Sequence, residues 1–434
     1  MRDAHFYTCS LRSQIKMARI YLDYAATTPV DGEVIKKMLP YFSENFGNAS
    51  SLHGFGQEAA EAVSEARKSV ANFFNAELEE IIFTSGATES NNLAIKGVLR
   101  SFQNKNPKIK PHIITTAFEH HCVLDTCKNL EKEGKIEVTY ISINSDGIVK
   151  LKDIEKAIKP NTILVSVMYV NNEIGTVQPI AEIGKLLKKY NSKLQNTVRK
   201  ILFHADATQA VNYFDCNVKK LGVDLLSMSA HKIYGPKGVG MLFVKKGTRI
   251  KQIQDGGAQE FALRAGTLNV SGIVGLGEAI KKVKSQKSKV KNIVSLRDYL
   301  IEKVLKEIPQ TILNGSRKKR SPNNVNFSFA SVEGESLLLY LDAEGIACST
   351  GSACSSGSLS PSHVLLALGL KPEEAHGSLR VSLGKYTTKK ELEIFIVKLK
   401  NILEKLRKVS GEILKEYYSN YKNTNHHKST KNTK

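Results

Sequence analysis

Between residues 81 and 244, short runs of β-branched and aromatic residues alternate with stretches whose apolar residues recur at helical spacing, and few folds accommodate that alternation. Strand candidates fall at 81–84, 112–116, 137–142, 162–169, 201–205, 224–228 and 239–244. Helical patterns separate many of them, at 88–99, 121–133, 151–158 and 180–190, after an earlier one at 57–76 that places Ala60, Val63, Ala66, Val70 and Phe73 on one face. Strands alternating with helices predict an α/β fold with a mostly parallel sheet covered by helices. The pattern changes near 275. A long amphipathic helix is expected over 275–308, then a strand at 324–330, a helix at 334–343, a Ser/Gly-rich loop at 349–360, a strand at 377–383 and a C-terminal helix from about residue 388. This is a second, smaller α+β unit. The expected division is an extension at 1–16, upstream of Met17 and read as an extension or a mis-called start, a large domain over 17–275, a linking helix and small domain over 276–420, and a disordered basic tail over 421–434.

Composition narrows the function classes. With 434 residues and 41% hydrophobic content the chain can bury a large core. No uninterrupted apolar run approaches the roughly 18 residues of a membrane span. The formal net charge is +21. The lysines are mostly scattered over helical faces, which argues for solvated surfaces and against a nucleic-acid partner. Concentrated positive charge occurs at Arg317-Lys318-Lys319-Arg320, in an expected loop, and in the tail. Residues 1–16 lack the apolar stretch of a secretory signal, although a short organelle-targeting segment stays open. Six cysteines without metal-site spacing predict neither a disulfide framework nor a zinc site, and suit a reducing compartment such as the cytoplasm.

Three features carry chemistry. Ser85-Gly86-Ala87-Thr88 follows a strand and opens a helix, where free N–H groups can hold an anion; an ordinary strand–helix turn capped by Thr88 reads the same string. Asp206 ends a very apolar strand, facing a ligand crevice or capping a helix. Lys232, in Ser229-Ala230-His231-Lys232, follows the strand at 224–228 and is either a surface lysine or one fixed for Schiff-base chemistry. Their order favours the chemical reading. A phosphate-type turn, then a carboxylate after a strand, then a fixed lysine after the next strand supply the three functions that pyridoxal 5'-phosphate (PLP) demands, for its phosphate, its pyridinium nitrogen and its aldehyde.

The chain resembles the class V aminotransferase family of fold-type I PLP enzymes, and within it the cysteine desulfurases of the housekeeping and nitrogen-fixation types. The resemblance rests on YLDYAATTPVD, FTSGATESNNLAIKG, VNNEIGTVQPI, HADATQAV, SAHKIYGPKGVG, LRAGTLN, STGSACSSGSLSPSHVL and HGSLRVSLGKYTT, in family order from about residue 20 to 390. It implies a large domain with a mostly parallel sheet and a smaller C-terminal α+β domain. It implies that Ala87, Thr88, Ser229 and His231 surround the PLP phosphate, that Asp206 pairs with the pyridinium nitrogen, and that Asn172 and Gln209 lie at the ring's substituents. His120 is implied to stack on the ring and move protons, and Lys232 to hold the cofactor covalently. Thr267 is implied to reach the phosphate of the other subunit of a homodimer. Arg380 is implied to bind the substrate carboxylate, and Asn172 to contact the substrate as well.

Cys354 is implied to receive the sulfur of L-cysteine as a persulfide, leaving L-alanine. The run Ser352–Ser358 resembles the long-loop desulfurases, whose sulfur goes to an iron–sulfur scaffold or to tRNA-thiolation enzymes. Cys354 is then also a conceivable ligand to a transient [2Fe–2S] cluster shared with a scaffold. Ala49 and Ala230 depart from the family pattern, residues 191–199 read as a short insertion, and the tail lacks the ending with which the housekeeping type docks its scaffold. His121 is expected at the surface, His204 and His363 in structural roles, and Cys122 and Cys348 as buried thiols. Rival readings are a selenocysteine lyase, another class V PLP enzyme, or a catalytically silent RNA- or protein-binding module.

Overall fold

The computed structural model describes residues 19–194, 200–285, 290–350 and 361–410. Its strands are β1 (Ile20–Tyr21), β2 (Ile81–Thr84), β3 (His112–Thr116), β4 (Glu137–Ile141), β5 (Thr162–Ser166), β6 (Leu202–Asp206), β7 (Leu225–Ser229), β8 (Gly240–Val244), β9 (Thr311–Leu313), β10 (Asn324–Phe329), β11 (Ile346–Ala347) and β12 (Ser378–Ser382). Seven of them form one sheet in the order β2-β8-β7-β6-β5-β3-β4. All run parallel except β8, which is antiparallel to both of its neighbours.

Successive residues of a strand point to opposite faces, and each face here has its own core. Ile82, Ile113, Leu164, Leu225 and Leu242 pack on one side with helices Ala87–Gln103 and His121–Lys132. Their neighbours Phe83, Ile114, Val165, Leu226 and Phe243 pack on the other, with helices Gly54–Phe74, Ile180–Ser192 and Val270–Ser285. Both faces are buried, so these strands read as continuous apolar runs.

A third core, around Phe327, Phe329, Leu337, Leu379 and Phe395, unites strands β9, β10 and β12 with helices Val290–Glu307, Gly334–Ala343 and Lys389–Ser410. Strand β1 pairs in parallel with β11, and Ile20 and Leu22 belong to this core. The start of the described chain therefore packs with the C-terminal unit, not with the large sheet. The helix expected over 275–308 is two described helices, Val270–Ser285 and Val290–Glu307, packed in different cores. The expected division at 275/276 falls inside the first of them. Among the described residues no helix is long and apolar enough to cross a membrane.

In the basic run at 317–320, Arg317, Lys318 and Lys319 are exposed, and Arg320 turns inward. Arg320 is buried and its guanidinium donates to the carbonyls of Ile174, Ser316 and Asn314. It ties the loop after β9 to the loop after β5. The expectations for 1–16, the tail, residues 195–199 of the insertion, and Cys354 lie outside the described residues.

Candidate active site

A cleft of about 570 Å³ opens at the carboxyl ends of the sheet strands, where open α/β sheets place their ligands. Ala87, Thr88, His120, Asn172, Asp206, Gln209, Ser229, His231, Lys232 and Arg380 all line it. Those ten residues come from five strand ends of the large sheet and from β12 of the smaller one. Thr267 does not line it and is exposed.

One wall is the start of helix Ala87–Gln103. Its N-cap is Gly86, at φ 149°, a conformation that favours glycine, and no side chain caps the helix. The first N–H groups of a helix have no partner within it. They are left for an anion, with the Thr88 and Ser229 hydroxyls beside them. A Cβ on Gly86 would come within 3.5 Å of Ser229 Oγ and narrow that space.

The floor is Asp206, the last residue of β6. It points to the face covered by helix Ala87–Gln103, so Asn91 reaches it: Asn91 Nδ2 donates to Asp206 Oδ2 at 2.7 Å. Thr208 N donates to Oδ1 at 2.9 Å. His204, two residues earlier on the same face, is buried between Ser166 Oγ (2.8 Å) and Ser227 Oγ (3.0 Å). Burial pushes its pKa down to about 4, so it is a neutral strut, as expected.

Lys232 ends a 3-10 turn that follows β7. Its Nζ donates to the carbonyls of Ala25 (2.5 Å) and Ala26 (2.6 Å). His231 Nδ1 meets Thr27 Oγ1 at 3.1 Å, and burial, with Lys232 and Lys237 nearby, lowers its pKa to about 4. Gln209 Nε2 also donates to Ala25 O, at 3.0 Å. The segment 25–27 thus forms the wall opposite the helix start, a part that motif reading left without a role.

His120 caps helix His121–Lys132, its Nδ1 accepting from Cys122 N at 3.2 Å. Burial holds the imidazole below its ordinary pKa. Cys122 is not the plain core thiol that was expected, because it lines the cleft. Its Sγ lies 3.0 Å from His120 Nδ1 and accepts from Asn91 Nδ2 at 3.0 Å. Its small size suited a core position, but it lies in the first turn of the helix that His120 caps, and both residues line the cleft. Burial raises the thiol's pKa, so it stays protonated. His121 is half-buried, with its ring 4.8 Å from that of His363 and its Nδ1 3.1 Å from Asp125 Oδ2. His363 supports the wall, its Nε2 lying 2.9 Å from Glu119 O.

At the other end, Arg380 Nη1 donates to Asn172 O at 3.1 Å and Nη2 to Asp23 Oδ1 at 2.8 Å. Its backbone exchanges two hydrogen bonds with Ser349, which also lines the cleft. Asp23 escaped the sequence reading because a carboxylate between apolar residues carries no spacing signal.

The chain belongs to the class-V aminotransferase family, whose model matches residues 20–395. It is 52% identical over 392 residues to the cysteine desulfurase IscS of Dictyoglomus turgidum, covering 90% of this chain and 96% of that one. It is 48% identical to the cysteine desulfurase IscS of Methanosarcina thermophila, covering 92% and 95%. Among solved structures it superposes on a NifS-like protein with a TM-score of 0.81 at 37% identity, covering 89% of this chain and 99% of that one. It also superposes on an SspA protein in complex with cysteine, with a TM-score of 0.73 at 37% identity, covering 85% and 100%. Members of the family are PLP-dependent, and the donor set fits that cofactor: an uncapped helix start with two hydroxyls, a carboxylate at a strand end, and a lysine amine on the facing turn.

Proposed function

We propose that this enzyme is a cysteine desulfurase that removes sulfur from L-cysteine, leaving L-alanine and a persulfide on Cys354. The observation that carries the reading is the convergence in one cleft of Lys232, Asp206, His120 and Arg380, with Ser349 on its wall. Cys354 follows Ser349 by five residues. An extended chain covers at most about 3.6 Å per residue, so its Cα stays within about 18 Å of Ser349.

PLP supplies an electron sink for the substrate's α-carbon. Lys232 would hold the cofactor and, once displaced by the substrate's amine, its Nζ would be the base for the α-proton, while Ala87, Thr88, Ser229 and His231 would receive the phosphate. Asp206 would keep a proton on the ring nitrogen, and Asn172, Gln209 and His120 would supply the side chains around the ring. Arg380 orients the substrate by its carboxylate. The Cys354 thiolate attacks the substrate sulfur, an S–S bond forms as the substrate's C–S bond breaks, and the carbon takes up a proton. Cysteine plus thiol gives alanine plus persulfide, with no outside oxidant or reductant.

Three finer readings accompany this one. The enzyme works as a homodimer, supported by Thr267, which is exposed and outside its own subunit's cleft, where a partner's phosphate could meet it. Its persulfide supplies an iron–sulfur scaffold or a tRNA-thiolation enzyme, in a reducing cytoplasm where thiols such as Cys122, Cys127, Cys216 and Cys348 stay free. The two units divide between helices Val270–Ser285 and Val290–Glu307, where the cores change. The test of the main reading is direct: purified enzyme with PLP and L-cysteine should release alanine and, with a reductant, equal sulfide. No alanine under those conditions refutes it.

A further inference from the structure

The end of the cleft that holds Arg380 is charge-balanced before any substrate arrives. Arg380 and Asp23 form a pair at 2.8 Å with side chains only 6% and 17% exposed. Backbone geometry keeps them together. Asp23 bridges to Ser382, and Arg380 lies two residues before Ser382 on β12. Separating the pair would leave a buried charge uncompensated, which is strongly unfavourable. Asp23 therefore stays beside the guanidinium while a ligand binds. Arg380 Nε is buried with no hydrogen-bond partner, so the guanidinium retains a donor. The other cationic side chains of the cleft, Lys232 and Lys237, belong to the segment after β7, on which the cofactor site is built.

We propose that Asp23 is a specificity-determining residue: by neutralising Arg380 it makes the substrate end of the cleft accept an amino acid with one carboxylate and an uncharged side chain, and reject one with a second anionic group. The inference rests on the reading of Arg380 as the carboxylate-binding residue. One incoming carboxylate meets the guanidinium at close range. Among the described residues that end of the cleft offers a second carboxylate no further cation, and the Asp23 carboxylate repels it. Across about 8 Å at an effective dielectric near 20, that repulsion weakens binding on the order of tenfold or more.

The test compares L-alanine and L-aspartate as inhibitors of sulfide release from L-cysteine in the presence of a reductant, in the holoenzyme and in Asp23→Asn. Asparagine keeps an acceptor for Arg380 Nη2 and removes only the charge; Asp23→Ser serves if that variant does not fold. The expected result is that aspartate inhibition strengthens about tenfold relative to alanine inhibition when the charge is removed. An unchanged ratio of the two inhibition constants in the folded variant overturns the proposal. Arg380→Gln separates the two readings. It should weaken both inhibitors together; if it weakens neither, the carboxylate assignment of Arg380 is wrong, whatever Asp23 does.

Discussion

Ser362 donates from its Oγ to Glu173 Oε2 at 2.5 Å, and both residues are buried. The same oxygen accepts from the N–H groups of Val364 and Leu365 and so caps helix His363–Ala367. Glu173 follows Asn172, whose carbonyl accepts from Arg380. Ser349 bonds to the backbone of Arg380. The chain on both sides of 351–360 is thus fastened to the neighbourhood of one arginine.

Ser362→Ala should therefore destabilise the enzyme by about 1–3 kcal/mol, because it removes a helix cap and strands a buried carboxyl. Ser362→Thr keeps the hydroxyl and should recover most of the loss. Chemical denaturation of the three proteins decides the matter, and equal midpoints for alanine and serine would contradict it.

Glu119 gives a pH-dependent prediction. Its carboxyl is fully buried, accepts from Thr116 Oγ1 and Met168 N, and leaves Oε2 without a partner. Burial pushes its pKa from 4.5 up to about 8. A carboxyl whose folded pKa is raised stabilises the fold, relative to its charged form, below the unfolded value, and that contribution is lost as pH rises through the folded value. Glu119→Gln mimics the protonated acid at every pH. The variant should match the native enzyme near the low end of the window from 4.5 to about 8 and exceed it in thermal stability toward the high end. Parallel melting curves across that window would show that Glu119 does not titrate there.

Asp206→Asn tests the strand-end carboxylate. Asparagine still accepts from Thr208 N, so the fold should persist, but the charge that holds a ring proton is gone. Turnover should fall by orders of magnitude while the melting temperature changes little. Near-normal activity would reduce Asp206 to a backbone cap.

The site was legible in the sequence from the order of its features, not from any one of them. The Gly86 turn, Asp206 and Lys232 each had an ordinary reading, their succession along the chain favoured the chemical one, and the family strings supplied Asn172, Gln209 and Arg380. What escaped was set by long-range packing. Asp23 meets Arg380 across 357 residues of chain, and Cys122 meets Asn91 of a neighbouring helix at the cleft. Arg320 looked like one charge of an exposed run, yet it turns inward, where carbonyls of its own loop and of the loop after β5 accept from its guanidinium. The expected single helix over 275–308 had a continuous apolar stripe, but its two described halves face different cores, a division that periodicity does not encode.

Cys354 carries the prediction that separates a desulfurase from other enzymes of this fold. The reaction has two parts, activation of cysteine in the cleft and capture of its sulfur by a thiolate. Serine at 354 keeps nearly the same volume but lacks the soft nucleophile. Cys354→Ser should bind PLP, and its absorbance should still change when cysteine is added, yet it should form almost no alanine. In the native enzyme, brief exposure to cysteine without reductant should add the mass of one sulfur to the peptide containing Cys354. The same peptide from Lys232→Ala should gain nothing, because the substrate's C–S bond is never weakened. Cys348, six residues earlier, is the competing thiol. It packs against the core of the smaller unit and burial raises its pKa, so it offers little thiolate. Sulfur found on Cys348 in place of Cys354 would assign the acceptor to the wrong residue, and alanine formed with no sulfur on either would overturn the covalent mechanism.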